Sequence, residues 1–176
     1  GGIDQSNFNK LLFIYPYALG LKTGSTDTAG FSLVSLAKRP DSPLMLIGVV
    51  LGAPTNMTVA NESKALLSYG FRFFKSDLLY SQNQNIQSVS FKNGAKETMD
   101  VGPMQDLYAT YPNVGTGSLK AHLNIPKSLQ APIAQNQQVG TLELSYDNKA
   151  VASSPVYALE NNPKASWWSS MSRKIF

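Results

Sequence analysis

Lys22, Thr23 and Gly24 stand side by side in GLKTGSTDTAG, residues 20–30 of a 176-residue chain that has one histidine and no cysteine. On a strand, residues i and i+2 share a face, and a glycine there removes the side chain that would keep a ligand from lying along the backbone. A lysine supplies a point charge, the neighbouring threonine hydroxyl a hydrogen bond to a carboxylate, and a following backbone N–H a donor for an oxyanion. The triplet therefore suits a substrate that ends in a carboxylate. A few residues on, SLAK, Ser35 to Lys38, has the spacing of a nucleophilic serine and its lysine base. That chemistry needs both side chains on one face of a helix. The run GFSLVSLAKR leads instead into the turn RPDSP, so a strand is expected, and on a strand Ser35 and Lys38 point to opposite faces. SLAK reads as an ordinary strand hydroxyl and a strand-end lysine.

Composition narrows the classes. An apolar content of 43% is that of a folded chain, long enough for one ordinary domain or two small ones. Without cysteine there is neither a disulfide framework nor a thiolate metal site. With a single His122 as well, a zinc site is not expected, and neither a metal nor a cofactor is. The formal charge of +4 favours polyanions only as a bias, because the basic residues are scattered. Base stacking on Tyr108, Tyr111 and Tyr157 would need a basic stripe beside them, and nucleic acid is not an expected partner. The longest aliphatic run, Leu44 to Leu51, is far shorter than the roughly 20 residues of a spanning helix. No charged and then apolar leader opens the chain, so neither a signal peptide nor a membrane span is expected in it.

The elements that must position the triplet follow from periodicity. Leu19 to Thr26, Gly30 to Lys38 and Leu44 to Leu51 read as three strands, the last two joined by RPDSP as an antiparallel pair. Across Asn61 to Phe74 the period changes, with Leu66, Leu67, Gly70, Phe71 and Phe74 at helical spacing. That predicts a helix laid on the sheet. Beyond Lys75 come short alternating segments: VSF before an Asn93-Gly94 turn, DLYATY, SLKAHLNI, TLELSYDNKA and PVYALE. In SLKAHLNI, Leu119, Ala121, Leu123 and Ile125 alternate with Lys120, His122 and Asn124, the pattern of one buried face. Leu142, Leu144 and Tyr146 repeat it before Asp147-Asn148. The boundary between the halves is expected between Ser76 and Asn85. After Pro163 a helical period restarts, with Trp167, Trp168, Met171 and Ile175 on one face and Arg173 and Lys174 on its flank.

The ordered series GGIDQSNFNKLL, with Asn7 and Asn9, then GLKTGSTDTAGFSLV, GVVLGAP, ESKALLSYGFRFF and APIAQNQQVGTLEL resembles the serine-type D-alanyl-D-alanine carboxypeptidases, the low-molecular-mass penicillin-binding proteins that trim peptidoglycan. The likeness runs over nearly the whole chain. It implies an α+β arrangement in which residues 1–75 are the C-terminal strands and last helix of a truncated transpeptidase or β-lactamase-like domain. Residues 76–160 would then be a small all-β, sandwich-like domain, and residues 161–176 the start of an amphipathic membrane-anchor helix. It further implies that Lys22 contributes charge to the active site, that Ser25 offers its backbone N–H to the oxyanion, and that Thr23, Gly24 and Thr26 bind substrate. The partners implied are a peptidoglycan pentapeptide ending in D-Ala-D-Ala, β-lactams in the parent enzyme, and a membrane surface.

Neither an SxxK nor an SxN motif stands upstream of KTG in this chain. It is therefore expected to be a fragment, inactive alone, with a non-catalytic scaffolding or binding module as the alternative. Ser25 also stands where some relatives carry histidine, and Pro54 to Asn61 lacks their basic residues. For the terminal stretch, interfacial tryptophans, an apolar face and flanking cations are what an in-plane anchor uses. Trp167, Trp168, Met171, Arg173, Lys174 and Ile175 would bind the extracytoplasmic face of the cytoplasmic membrane, a periplasmic setting. Apolar faces left without their partners predict dimerisation, strand pairing or local disorder near the N-terminus.

Overall fold

Three antiparallel strands, β1 (Ala18–Thr26), β2 (Gly30–Lys38) and β3 (Met45–Ala53), form a sheet in the order β1-β2-β3. The structure is a computed structural model and describes residues 2, 6–115, 117–126 and 129–166. The chain divides into two units, Gly1–Ser76 with Thr110–Gly115, and Asp77–Ala109 with Thr116–Phe176.

In the first unit the β1–β2 turn is closed by Thr26, whose Oγ1 accepts from the Ala29 N–H at 3.0 Å. Gly30 follows at φ +67, where an added Cβ would stand 2.7 Å from the Ala53 carbonyl oxygen, so only glycine fits both the left-handed backbone and the close approach. Helix α2 spans Asn56–Phe73 and starts at Thr55, whose side chain accepts from the Thr58 N–H at 3.0 Å. The sequence places this helix later, at Asn61, with Leu66 and Phe74 on its inner face. In the structure Val59, Ala60, Ser63, Leu67 and Phe71 are the buried residues of α2, while Leu66 and Phe74 are exposed. The stripe begins a turn earlier because Val59 and Ala60 continue it behind the threonine cap. These residues pack on Leu33, Ala37, Leu44 and Ala53 of the sheet side and on Leu11 and Tyr15 around the short α1 (Leu11–Ile14). Gly70 permits the close fit, since a Cβ there would lie 2.5 Å from Leu46 Cδ1.

Ser35 is fully buried on β2 and donates to the Gly48 carbonyl at 3.1 Å, whereas Lys38 is exposed at the strand end. The strand geometry separates the two, and the Ser35 hydroxyl is already committed to structure. Beside them the Arg39 guanidinium lies 5.2 Å from the ring centres of both Tyr17 and Phe71, a stacking that anchors the RPDSP turn.

The second unit is mostly β. Strands β5 (Gln87–Lys92), β6 (Thr98–Gly102), β8 (Leu119–Asn124), β9 (Leu129–Gln130), β10 (Gln138–Tyr146) and β11 (Lys149–Ala158) join in the order β8-β10-β11-β6-β5-β9. The division between the units falls within strands β4 (Phe74–Tyr80) and β7 (Leu107–Pro112), which form a separate pair. The β10–β11 hairpin turns at Asp147 and Asn148, both at positive φ (48 and 62), the backbone that matches strand twist. Leu142 and Leu144 are buried as their alternation implies, together with Met99, Val101, Val156 and Ala158. Strand β8 departs from its pattern: Leu119 and Leu123 are only half-buried and Ala121 is exposed, because among the described residues β8 is the outermost strand and has a neighbour on one side only.

After β11 the chain is stapled by Asn162, which is fully buried. Its Oδ1 accepts from the Lys96 N–H at 3.0 Å, its Nδ2 donates to the Lys96 carbonyl at 3.1 Å, and its backbone exchanges two bonds with Ile133.

Candidate functional site

β1 is an edge strand, paired on one side with β2 alone among the described residues. Lys22 lies opposite Val34 and Gly24 opposite Ser32, so these two share one face, while Thr23 and Ser25 lie opposite Leu33 and Phe31 on the other. An added Cβ at Gly24 would meet nothing within 4 Å. Next to Lys22 the strand is therefore open, as a ligand lying along it requires. The Lys22 ammonium makes no ion pair with the described residues and donates only to the neighbouring Thr23 carbonyl. Among the described residues it is a cation without a counter-charge. The hydroxyls of Thr23 and Ser25 likewise have no hydrogen-bond partner among the described residues. Thr26 differs from the others, because its hydroxyl is occupied in closing the β1–β2 turn.

Two adjoining clefts follow this strand. One, of about 380 Å³, runs along Ser6–Asn9 and Leu21–Thr23; the other, of about 250 Å³, adds Gly24, Ser25, Phe31, Asn56 and Val59. Phe8 lines both. Its backbone is held where it is by Asn56, whose Nδ2 donates to the Phe8 carbonyl at 3.0 Å. Successive asparagines shape the same segment: Asn7 Oδ1 accepts from the Asn9 N–H at 2.8 Å, and Asn9 Oδ1 from the Leu11 N–H at 3.1 Å. Asx turns of this kind bend the backbone locally. Sequence reasoning did not give Phe8, Phe31, Asn56 or Val59 to the site. Only the asparagine pair in SNFN carried any local sign of the wall they help to build.

No group of three or more His, Cys, Asp or Glu that could hold a metal occurs among the described residues. What the site offers is a free ammonium, two free hydroxyls and an open edge, the equipment for orienting a carboxylate-ended chain. Trp167, Trp168, Met171, Arg173, Lys174 and Ile175 lie outside the described residues. Among the described residues, no helix is long and apolar enough to cross a membrane.

Residues 74–164 match the family model of the penicillin-binding protein 5 C-terminal domain, and the chain belongs to that family. Its relatives carry a specific name. The D-alanyl-D-alanine carboxypeptidase DacA of Escherichia coli K12 is 34% identical over 169 residues, which is 95% of this chain and 41% of the relative. DacD of Salmonella typhimurium, another D-alanyl-D-alanine carboxypeptidase, is 34% identical over 97% of this chain and 44% of the relative. Among solved structures, penicillin binding protein 5 from Haemophilus influenzae superposes with a TM-score of 0.82 at 32% identity, over 92% of this chain and 47% of that one. The chain thus spans less than half the length of the relatives it matches.

Proposed function

We propose that this chain is the C-terminal part of a serine-type D-alanyl-D-alanine carboxypeptidase that trims peptidoglycan through an acyl-serine intermediate. Residues 1–75 are the last strands and helix of its transpeptidase-like domain, residues 76–160 its β-domain, and residues 161–176 the start of a peripheral anchor on the extracytoplasmic face of the membrane. Lys22 and the Ser25 N–H serve the reaction, and Thr23, Gly24 and Thr26 hold the substrate. In this reading the Lys22 ammonium supplies the field at the reacting centre, the Thr23 hydroxyl holds the terminal carboxylate of the pentapeptide or of a β-lactam, and the Ser25 N–H receives the oxyanion. A charge-assisted hydrogen bond of this kind contributes about 1.5–3 kcal/mol. That orients a peptide end and does not by itself hydrolyse it.

The observation that carries the proposal is the uncovered side of the β1–β3 sheet beside Lys22. β3 is apolar at nearly every position, the pattern of a strand buried on both faces. α2 covers one face, yet Met45, Ile47, Val49 and Leu51 are exposed on the other. A further layer bearing the nucleophile would cover them and reach Lys22, since Lys22, Val34 and Val49 follow one another across the sheet.

The experiment is labelling with a fluorescent penicillin, applied to the complete native product and to these 176 residues separately. The complete product is expected to be acylated on a serine of an SxxK motif, and the shorter chain not at all. A complete product that binds no penicillin would overturn the enzyme reading and leave the β-domain as a scaffold or binding module at the cell envelope. Acylation of the shorter chain would overturn its inactivity.

A further inference from the structure

β11 has two unequal edges. Along one it bonds β10 from Lys149 to Tyr157; along the other it meets β6 at Tyr157 and Ala158 alone among the described residues. Beyond that point Pro155 has no N–H to offer a ladder. β6 ends at Gly102, and the Pro103 carbonyl accepts from the Asn83 N–H at 2.8 Å. Where the strands part they leave a notch of about 310 Å³, lined by Met104–Leu107 on one side and by Ser153–Pro155 and Tyr157 on the other. That volume is at the small end of ligand pockets, which run to about 300–1,000 Å³.

The lining combines two kinds of surface. Met104, Leu107, Pro155 and the Tyr157 ring are apolar, while the Tyr157 and Ser153 hydroxyls and the Gln105 carboxamide make no hydrogen bond with the described residues. Asp106 spends one carboxylate oxygen on the Gln82 N–H at 2.8 Å and keeps the other. Among the described residues no lysine or arginine lines the notch, so phosphate polymers and anionic headgroups find no counter-charge from them there. Free polar groups around an apolar floor fit a neutral ligand whose hydroxyls alternate with C–H faces. The unladdered backbone edge beside it fits an amide. A peptide strand would need an unbroken row of donors from β11, and Pro155 interrupts that row.

We infer that this notch is a glycan-binding site for N-acetylated amino sugars. A C–H face of the sugar rests on Tyr157, Gln105, Asp106 and Ser153 bond its hydroxyls, and its acetamido group meets the Ser153 backbone on the unladdered edge, next to the Pro155 carbonyl that accepts from the Ser154 hydroxyl at 3.2 Å. The inference does not depend on the carboxypeptidase reading, because every residue in it belongs to the second unit.

The test is a titration of the isotopically labelled 176-residue chain, followed by amide chemical shifts. The probes are chitotetraose, cellotetraose as the same backbone without acetamido groups, and an extended peptide of alternating threonine and valine. Chitotetraose is expected to give saturable shifts confined to Met104–Leu107 and Ser153–Tyr157, with a Kd of about 1 mM. Cellotetraose should bind about tenfold less tightly. Gln105→Ala and Tyr157→Phe should each weaken chitotetraose by about threefold to tenfold, and unchanged shifts elsewhere would show that both variants are folded. Absence of shifts at the notch, equal binding of the two sugars, insensitivity to both substitutions, or shifts with the peptide alone would each overturn the inference.

Discussion

In the first unit one face of the sheet is closed by α2 while Ile47 and Leu51, 67% and 72% exposed, stand on β3 in the open; in the second, Leu78, Met104 and Tyr108 are the exposed large apolar side chains among the described residues. Both sheets are antiparallel apart from the short β5–β9 pair of the second unit. The difference lies in how each finds a partner for its apolar residues. On the six-stranded sheet Met99, Val101, Leu142, Leu144 and Val156 are all buried. Among the described residues the three-stranded sheet has α2 on one of its two apolar faces, so its outer face stays exposed at a cost of about 25 cal/mol per Å². In the first unit an edge strand bearing an ammonium with no ion pair among the described residues and an open apolar face occur together.

The comparison is broken first by core truncation. Leu33→Ala and Leu142→Ala each remove a fully buried side chain and should cost about 2–5 kcal/mol. Amide exchange should show the first loosening β1–β3 and α2 while β10 and β11 stay protected, and the second doing the reverse; loss of protection in both units from either variant would abolish the distinction. Next in size, Lys22→Ala in the complete product should lower penicillin acylation by about 10²–10³, and Thr23→Val by about tenfold or more, with far-ultraviolet circular dichroism unchanged. Equal labelling of wild type and Lys22→Ala would remove β1 from the chemistry.

Asn162→Ala should destabilise the second unit by about 1–3 kcal/mol, because it strands both the N–H and the carbonyl of Lys96. Urea titration read at β10 and at α2 should register it at β10. The smallest effect on stability is the most informative about the open face. Ile47→Ser with Val49→Ser should change unfolding free energy by no more than about 0.5 kcal/mol yet abolish the concentration-dependent association expected of the wild-type chain. Sedimentation velocity reads that directly, and a wild-type chain that stays monomeric at every concentration would show that the face does not self-associate.

Much of this was legible where local chemistry decides. The three strands, the Asp147-Asn148 hairpin and the strand character of SLAK follow from alternation and turn residues over a few positions. The start of α2 did not, because Pro54-Thr55-Asn56 reads as a turn until Thr55 is seen to cap a helix whose stripe already includes Val59 and Ala60. β9, two residues long and parallel to β5 at Phe91 and Lys92, has no period of its own to detect. At the site, KTG was visible as a triplet on a strand. Phe8 and Asn56 were not, because the bond between them joins positions 48 residues apart and leaves no mark on either neighbourhood.

The staple at Asn162 narrows what evolution can do with it. Aspartate there would offer acceptors but nothing for the Lys96 carbonyl, glutamine would overshoot by a methylene, and Gly94 has no room for a Cβ, which would fall 2.7 Å from the amide nitrogen. The glycine of the Asn93-Gly94 turn and an asparagine far along the chain should therefore be inherited as a pair, either one changing only when the other does.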